Sequence, residues 1–292
     1  MTAAVNPTTA TDAPATSATS ATSFAHWTPP KSSSATAFLS LLQRDFHVLR
    51  KNLKEFIPRV ILQPLMLVFV FTYVFPKIGS AVGGSDGASG FSTLLVAGVL
   101  GSVVLFQGIQ AVALPMVQEF GFTKEIEDRV LAPLRVELVA IEKIVAGSLQ
   151  CILAALIVFP IAYVVPSTPV QIAFHWPILL TLGPLACIAA ASLGLMFGTL
   201  FNPRSVPLLF GIILVPLTFL GCVYFPWQRL QAIRWLQIAV LLNPLVYMCE
   251  GFRAALTNVG SMTLWAVYPA LLAFTAVFIV VGLRMFKKRV LS

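Results

Sequence analysis

The stretch PWQRLQAIRWLQIAVLLNPLVYMCEGFRAAL, residues 226–256, decides how this chain folds. Its middle, IAVLL at 238–242, is apolar enough to suggest a membrane crossing, but Asn243-Pro244 interrupts it. Proline lacks a backbone N–H and disfavours helical geometry at the residue before it. A crossing here would also place RMFKKR, residues 284–289, outside the cell, against the tendency of Lys and Arg to collect in cytoplasmic loops. The stretch therefore reads as two short helices that dip into the outer leaflet, meet near Asn243 and return. Non-helical backbone is tolerated at that depth only where protein or water surrounds it. Glu250 and Arg253 stand at i and i+3 on the second short helix, where pairing would lower the cost of holding both charges near lipid. Two uses of the segment stay open, an outer gate or an interfacial structural cap.

Around this segment the chain is 58% hydrophobic and 10% charged, with a mean hydropathy of +0.90. Soluble domains are typically about 45–50% apolar and about 25% charged. Six apolar runs are long enough to cross a bilayer, which takes roughly 20 residues: 58–75, 91–117, 144–165, 177–201, 206–225 and 263–286. The expected fold is all-α and polytopic, with six transmembrane helices. With the N-terminus in the cytoplasm, fifteen of the nineteen Lys and Arg residues fall inside, leaving Lys77, Arg229, Arg234 and Arg253 outside. That asymmetry places both termini in the cytoplasm of a multi-pass plasma-membrane protein. The net charge of +8 is accounted for by this distribution, and no nucleic-acid partner is expected.

Residues 1–35 are rich in Ala, Thr, Ser and Pro, with almost no large aliphatic side chains. Such a segment buries too little apolar surface to offset its ordering entropy and reads as a disordered cytoplasmic tail. Residues 36–292 form the membrane domain. Before the first span, Leu41, Leu42, Phe46, Leu49, Leu53 and Phe56 recur at helical spacing opposite Arg44, Arg50, Lys51 and Lys54. This pattern predicts an amphipathic helix in the headgroup plane, in contact with membrane lipid. Ala186, Ala190, Gly194 and Gly198 give the fourth span a small-residue face for close helix packing. The four cysteines match no metal or redox spacing, and a Cys222–Cys249 disulfide is left open.

Charge concentrates in EFGFTKEIEDRVLAPLRVE, residues 119–137, between the second and third spans. Thr123 is placed to cap a short helix, with Glu125, Glu127 and Asp128 in its first turns, where the helix dipole favours anions. Arg129 follows. Ile126, Val130 and Leu134 share one side at four-residue steps, and Pro133 marks the end. A capped helix with acidic flanks and an apolar ridge suits docking into a groove on a soluble partner. Glu119, at the edge of the second span, is a further candidate. Glu142-Lys143 reads as a pair of flanking charges. The chain has no GxxxxGKS/T phosphate loop and no HExxH motif, so no catalytic residue, metal site or cofactor is assigned to it.

Taken together, the amphipathic start, six spans, charged inner loop and long outer segment resemble the permease subunit of type-2 ATP-binding-cassette exporters, a group that includes drug, lipid and polysaccharide exporters. The resemblance covers about residues 36–292. It rests on EFGFTKEIEDRVLAP with Glu142-Lys143, and most specifically on NPLVYMCEGFR, where Asn243, Pro244, Tyr247, Glu250 and Arg253 follow the family pattern. It implies that 123–131 is the coupling helix on a separate ATPase subunit, which holds the ATP-Mg. It also implies two permease chains, a homodimer with a heterodimer left open, and a substrate path between them. GFTKE departs from the commonest pattern, leaving the docking register open by a residue or two. The abundance of Phe over Trp and Tyr leans toward an amphiphilic cargo, drug-like or lipid. Alternatives are polysaccharide or lipid-linked glycan export, a non-transporting scaffold, or an intramembrane lipid enzyme.

Overall fold

A computed structural model describes residues 34–74, 87–123, 136–165, 172–201, 210–258 and 260–290. The described residues are predominantly helical, with no strand among them. The chain begins with α1 (Ser34–Lys51) and α2 (Leu53–Phe69), the latter continuing as a π-helical turn over Val70–Val74. Next come α3 (Gly87–Gln118), whose last turn opens into a π-helix at Glu119–Thr123, α4 (Val136–Val164) and α5 (Trp176–Leu200). A π turn at Phe210–Leu214 leads into α6 (Val215–Phe219). A 3₁₀ turn (Trp227–Ala232), α7 (Arg234–Ala239) and a second 3₁₀ turn (Val240–Leu242) precede α8 (Pro244–Leu256) and α9 (Leu264–Val290).

Among the described residues, four helical stretches are long and apolar enough to cross a membrane, Phe91–Gly121, Val136–Pro160, Trp176–Leu200 and Leu264–Val290, or five if the bent pair Arg234–Leu242 and Pro244–Leu256 is one span. The four correspond to the second, third, fourth and sixth expected spans. The third begins eight residues before the expected 144, because Glu137, Glu142 and Lys143 are carried inside the helix. Lys143 is neutralised there by ion pairs, so the helix tolerates charge that the hydropathy reading took as its boundary. Residues 206–209 of the expected fifth span lie outside the described residues. The tail at 1–33 also lies outside them.

The centre of the bundle is α3, which packs on α5, α4, α8 and α2. Close approach to α5 depends on missing side chains. A Cβ placed on Gly108 would stand 2.4 Å from the Ala190 Cβ, and one on Gly194 would stand 2.8 Å from the Gly108 carbonyl oxygen. The small-residue face of the fourth span is thus spent on packing within this chain. Farther along α3, Gly98 admits the backbone of Val223. The resulting core runs from Leu100, Val104 and Ile109 across Leu182 and Leu193 to Leu245, Phe252 and Leu271.

All four cysteines are free and buried. On α1 the expected apolar side is divided. Leu49 is buried and Phe56, just into α2, likewise, whereas Phe46 and Leu53 face outward. Ala37 and Leu41 pack with Phe120, Val136 and Phe286, which brings α1 to the same end of the bundle as the close of α9.

Candidate functional site

Two clusters of polar side chains stand at opposite ends of the bundle. At the elbow end, α7 with its 3₁₀ extension and α8 meet at a 96° bend. Asn243 occupies the break, with extended backbone at φ −96° and ψ 116°. Its Oδ1 accepts a hydrogen bond from Leu245 N at 2.9 Å, capping α8, while its Nδ2 donates to Leu217 O at 2.6 Å. Pro244 fills the first helical position, where a missing N–H leaves nothing unpaired and the fixed φ already suits a helix. Tyr247 donates its hydroxyl to Leu241 O at 3.0 Å, tying α8 back across the bend.

One turn further, Glu250 and Arg253 pair at 2.8 Å with both side chains fully buried. Glu250 is saturated from three directions. Its Oε1 also accepts from Trp227 N at 2.8 Å, and its Oε2 accepts from Met262 N at 2.9 Å. Arg253 donates through Nη2 to the carbonyls of Cys222 and, at 3.0 Å, Val223. Cys222 holds a positive φ of 53°, an uncommon conformation for a side chain other than glycine, and that turn presents its carbonyl to the guanidinium. Because a buried charge is tolerated only when paired and hydrogen-bonded, these contacts bind the strands of chain before α7 and before α9 to one helix. All five expected outer residues therefore gather at one elbow. Their partners at Leu217, Cys222, Val223, Trp227 and Met262 are mostly main-chain groups, which carry no residue-type signal in a sequence.

At the opposite end, where α1 and the close of α9 lie, α3 opens into its π-helical turn. Glu119 begins this turn and Thr123 closes it. Lys143, buried on α4, donates to Glu119 Oε1 at 2.9 Å and to Asp45 Oδ2 at 3.0 Å. One ammonium thus joins α1, α3 and α4. Glu142 is fully buried beside it. Asp45 carried no signal in the sequence beyond being an acid on a basic helix face, and its partner lies 98 residues away. Arg289 completes this end. Its Nη1 donates to the α5 terminal carbonyls of Gly198, Thr199 and Phe201, at 3.2, 3.3 and 2.9 Å. Its guanidinium also lies 4.6 Å from the Phe120 ring centroid. A cation at a helix C-terminus meets both unsatisfied carbonyls and the negative end of the dipole. Glu125, Glu127, Asp128 and Arg129 lie outside the described residues. The helices on either side of them, α3 and α4, are joined by the Glu119–Lys143 pair.

A bundle of helices long and apolar enough to cross a bilayer several times is that of a multi-pass membrane protein. The sequence signature of the ABC-2 type transporter family matches residues 36–257, and the chain belongs to that family. It is similar to the inner membrane transport permease YadH of Escherichia coli K12, at 24% identity over 223 residues, covering 75% of this chain and 84% of that protein. The YadH of Shigella flexneri matches to the same extent. The chain is accordingly a transport component of an ATP-binding-cassette system, a family whose membrane subunits work with an ATP-binding-cassette partner.

Proposed function

We propose that this chain is the membrane half of an ATP-driven exporter, resident in the inner membrane with both termini in the cytoplasm. Six spans surround a path for an amphiphilic substrate, shared between two permease copies. Segment 123–131 docks on a separate ATPase that holds the ATP-Mg, with Thr123 as cap and Glu125, Glu127, Asp128 and Arg129 facing the partner. The carrying observation is the Glu119–Lys143–Asp45 network. A docking segment transmits a push only if its supports are stiff, and the helices on either side of this one are joined by an ion cluster that also grips α1. At the other end the cross-linked elbow moves as one body, with Asn243, Pro244, Tyr247, Glu250 and Arg253 holding its shape while it opens or closes the outer side. ATP binding shifts such an equilibrium only by its differential affinity for the two states. The relatives, inner membrane transport permeases, favour the same reading.

The test is charge reversal on the docking segment. Glu125→Lys and Glu127→Lys are expected to abolish retention of the co-expressed ATPase on the purified permease and to stop export, with membrane insertion unchanged. Normal retention and export by the double variant would sink the assignment.

A further inference from the structure

Between α1, α2, α3 and α4 lies a cavity of about 650 Å³ that the Lys143 network borders without filling. Gln107 and Gln110 of α3 and Gln150 of α4 line it. Gln107 is only 9% exposed, and no hydrogen bond to its amide is found among the described residues. The amide is not sealed from the cavity, so it stands ready to meet a polar occupant of that space. A second cavity, of about 100 Å³, shares Arg59, Gln107 and Gln110 with the first and continues between Val60, Leu67, Val99 and Val103. The larger chamber mixes charged and apolar side chains, the smaller is mostly apolar, and a cation and two amides line both. That is the outline of an amphiphile, head below and chain above.

The charge of the larger chamber narrows the head. Arg44, Arg59 and Lys143 line it together with Asp45, Glu55 and Glu119; Lys143 is already bonded to Asp45 and Glu119, so the head is read from Glu55 and Arg59 of α2. A purely anionic head would meet Glu55 and a purely cationic one Arg59. A head bearing both charges finds a complement for each. Glu55 and Arg59 stand at i and i+4 on α2, neighbours about 5–6 Å apart at their Cβ atoms. This is the scale on which a phosphate and an amine are separated in an aminoethyl phosphate ester. We propose that the joined cavities form the loading site for a zwitterionic glycerophospholipid-type amphiphile. Its phosphate lies on Arg59 and the Gln107 and Gln110 amides, its ammonium faces Glu55, and an acyl chain enters the groove past Val99 and Val103. The transport meaning of this site rests on the permease reading above; the binding itself does not.

The experiment measures binding of dioctanoyl phosphatidylethanolamine to the purified full-length chain in micelles. Dioctanoyl phosphatidylglycerol serves as the anionic comparison and dioctanoylglycerol as the headless one. The zwitterionic lipid is expected to bind at least tenfold more tightly than either. Arg59→Ala and Glu55→Gln, both at exposed positions, are each expected to weaken it at least tenfold. Val103→Trp, which blocks the groove, is expected to abolish binding. Should Val103→Trp fail to fold, the two surface variants decide alone. Equal binding of all three lipids, unchanged affinity in Arg59→Ala, or a cavity that takes up only water overturns the proposal. A chain that binds the lipid yet never retains an ATPase overturns the permease reading and leaves this site standing; the opposite pair of results overturns this site alone.

Discussion

Glu250 is the residue on which the elbow most depends, because three donors converge on one carboxylate in a place water does not reach. Removing it strands the Arg253 guanidinium and leaves the N–H groups of Trp227 and Met262 without acceptors. Breaking one partner of a buried pair costs about 3–5 kcal/mol, and each orphaned donor adds to that. Glu250→Ala is therefore expected to lower the melting temperature of the purified protein far more than Lys287→Ala. The Lys287–Glu137 pair, at 2.9 Å, is half-exposed, and pairs of that kind contribute about 0–1 kcal/mol. Equal effects of the two substitutions in a thermal unfolding series would contradict a structural role for the buried pair. Glu250→Gln keeps one carbonyl oxygen and should fall between the two.

Among the elements, α3 and α5 test whether backbone contact, rather than side-chain volume, sets the bundle. Gly108 faces Ala190 so closely that an added methyl would meet main-chain atoms at 2.7 and 2.9 Å, whereas Gly183 on the same α5 has nothing within 4 Å. Gly108→Ala should therefore destabilise by about 1–3 kcal/mol through overpacking. Gly183→Ala should be neutral or stabilising by up to about 1 kcal/mol through helix propensity. Melting temperatures that move the same way in both variants would refute the close approach. The same elements show what a sequence makes legible. Long apolar runs disclosed α3, α4, α5 and α9 because a bilayer-length helix must be apolar along its whole length. Charge at 142–143 hid the true start of α4, since pairing with Asp45 and Glu119 depends on contacts that no local pattern contains. The Glu250–Arg253 pair was legible because its partners lie one turn apart, while the main-chain groups that complete it were not.

Across the whole molecule, charge is distributed by end. Arg44, Lys143, Lys287, Lys288 and Arg289 belong to the end where α1, the root of α4 and the close of α9 meet, while Arg229 and Arg234 lie beside the elbow. A bilayer reads such asymmetry as orientation, because cationic loops are retained on the cytoplasmic side. The sense of insertion decides whether the proposed docking segment, 123–131, meets an ATPase at all. The four native cysteines are buried, so a membrane-impermeant maleimide applied to sealed cells should find little to label in the parent chain. Gln231→Cys, in the exposed 3₁₀ turn before α7, is expected to react from outside in intact cells. Ile126→Cys is expected to react only after the membrane is opened. The reverse pattern would put the docking segment on the wrong face, and no arrangement of buried charge between the helices on either side of it could then link this chain to a cytoplasmic motor.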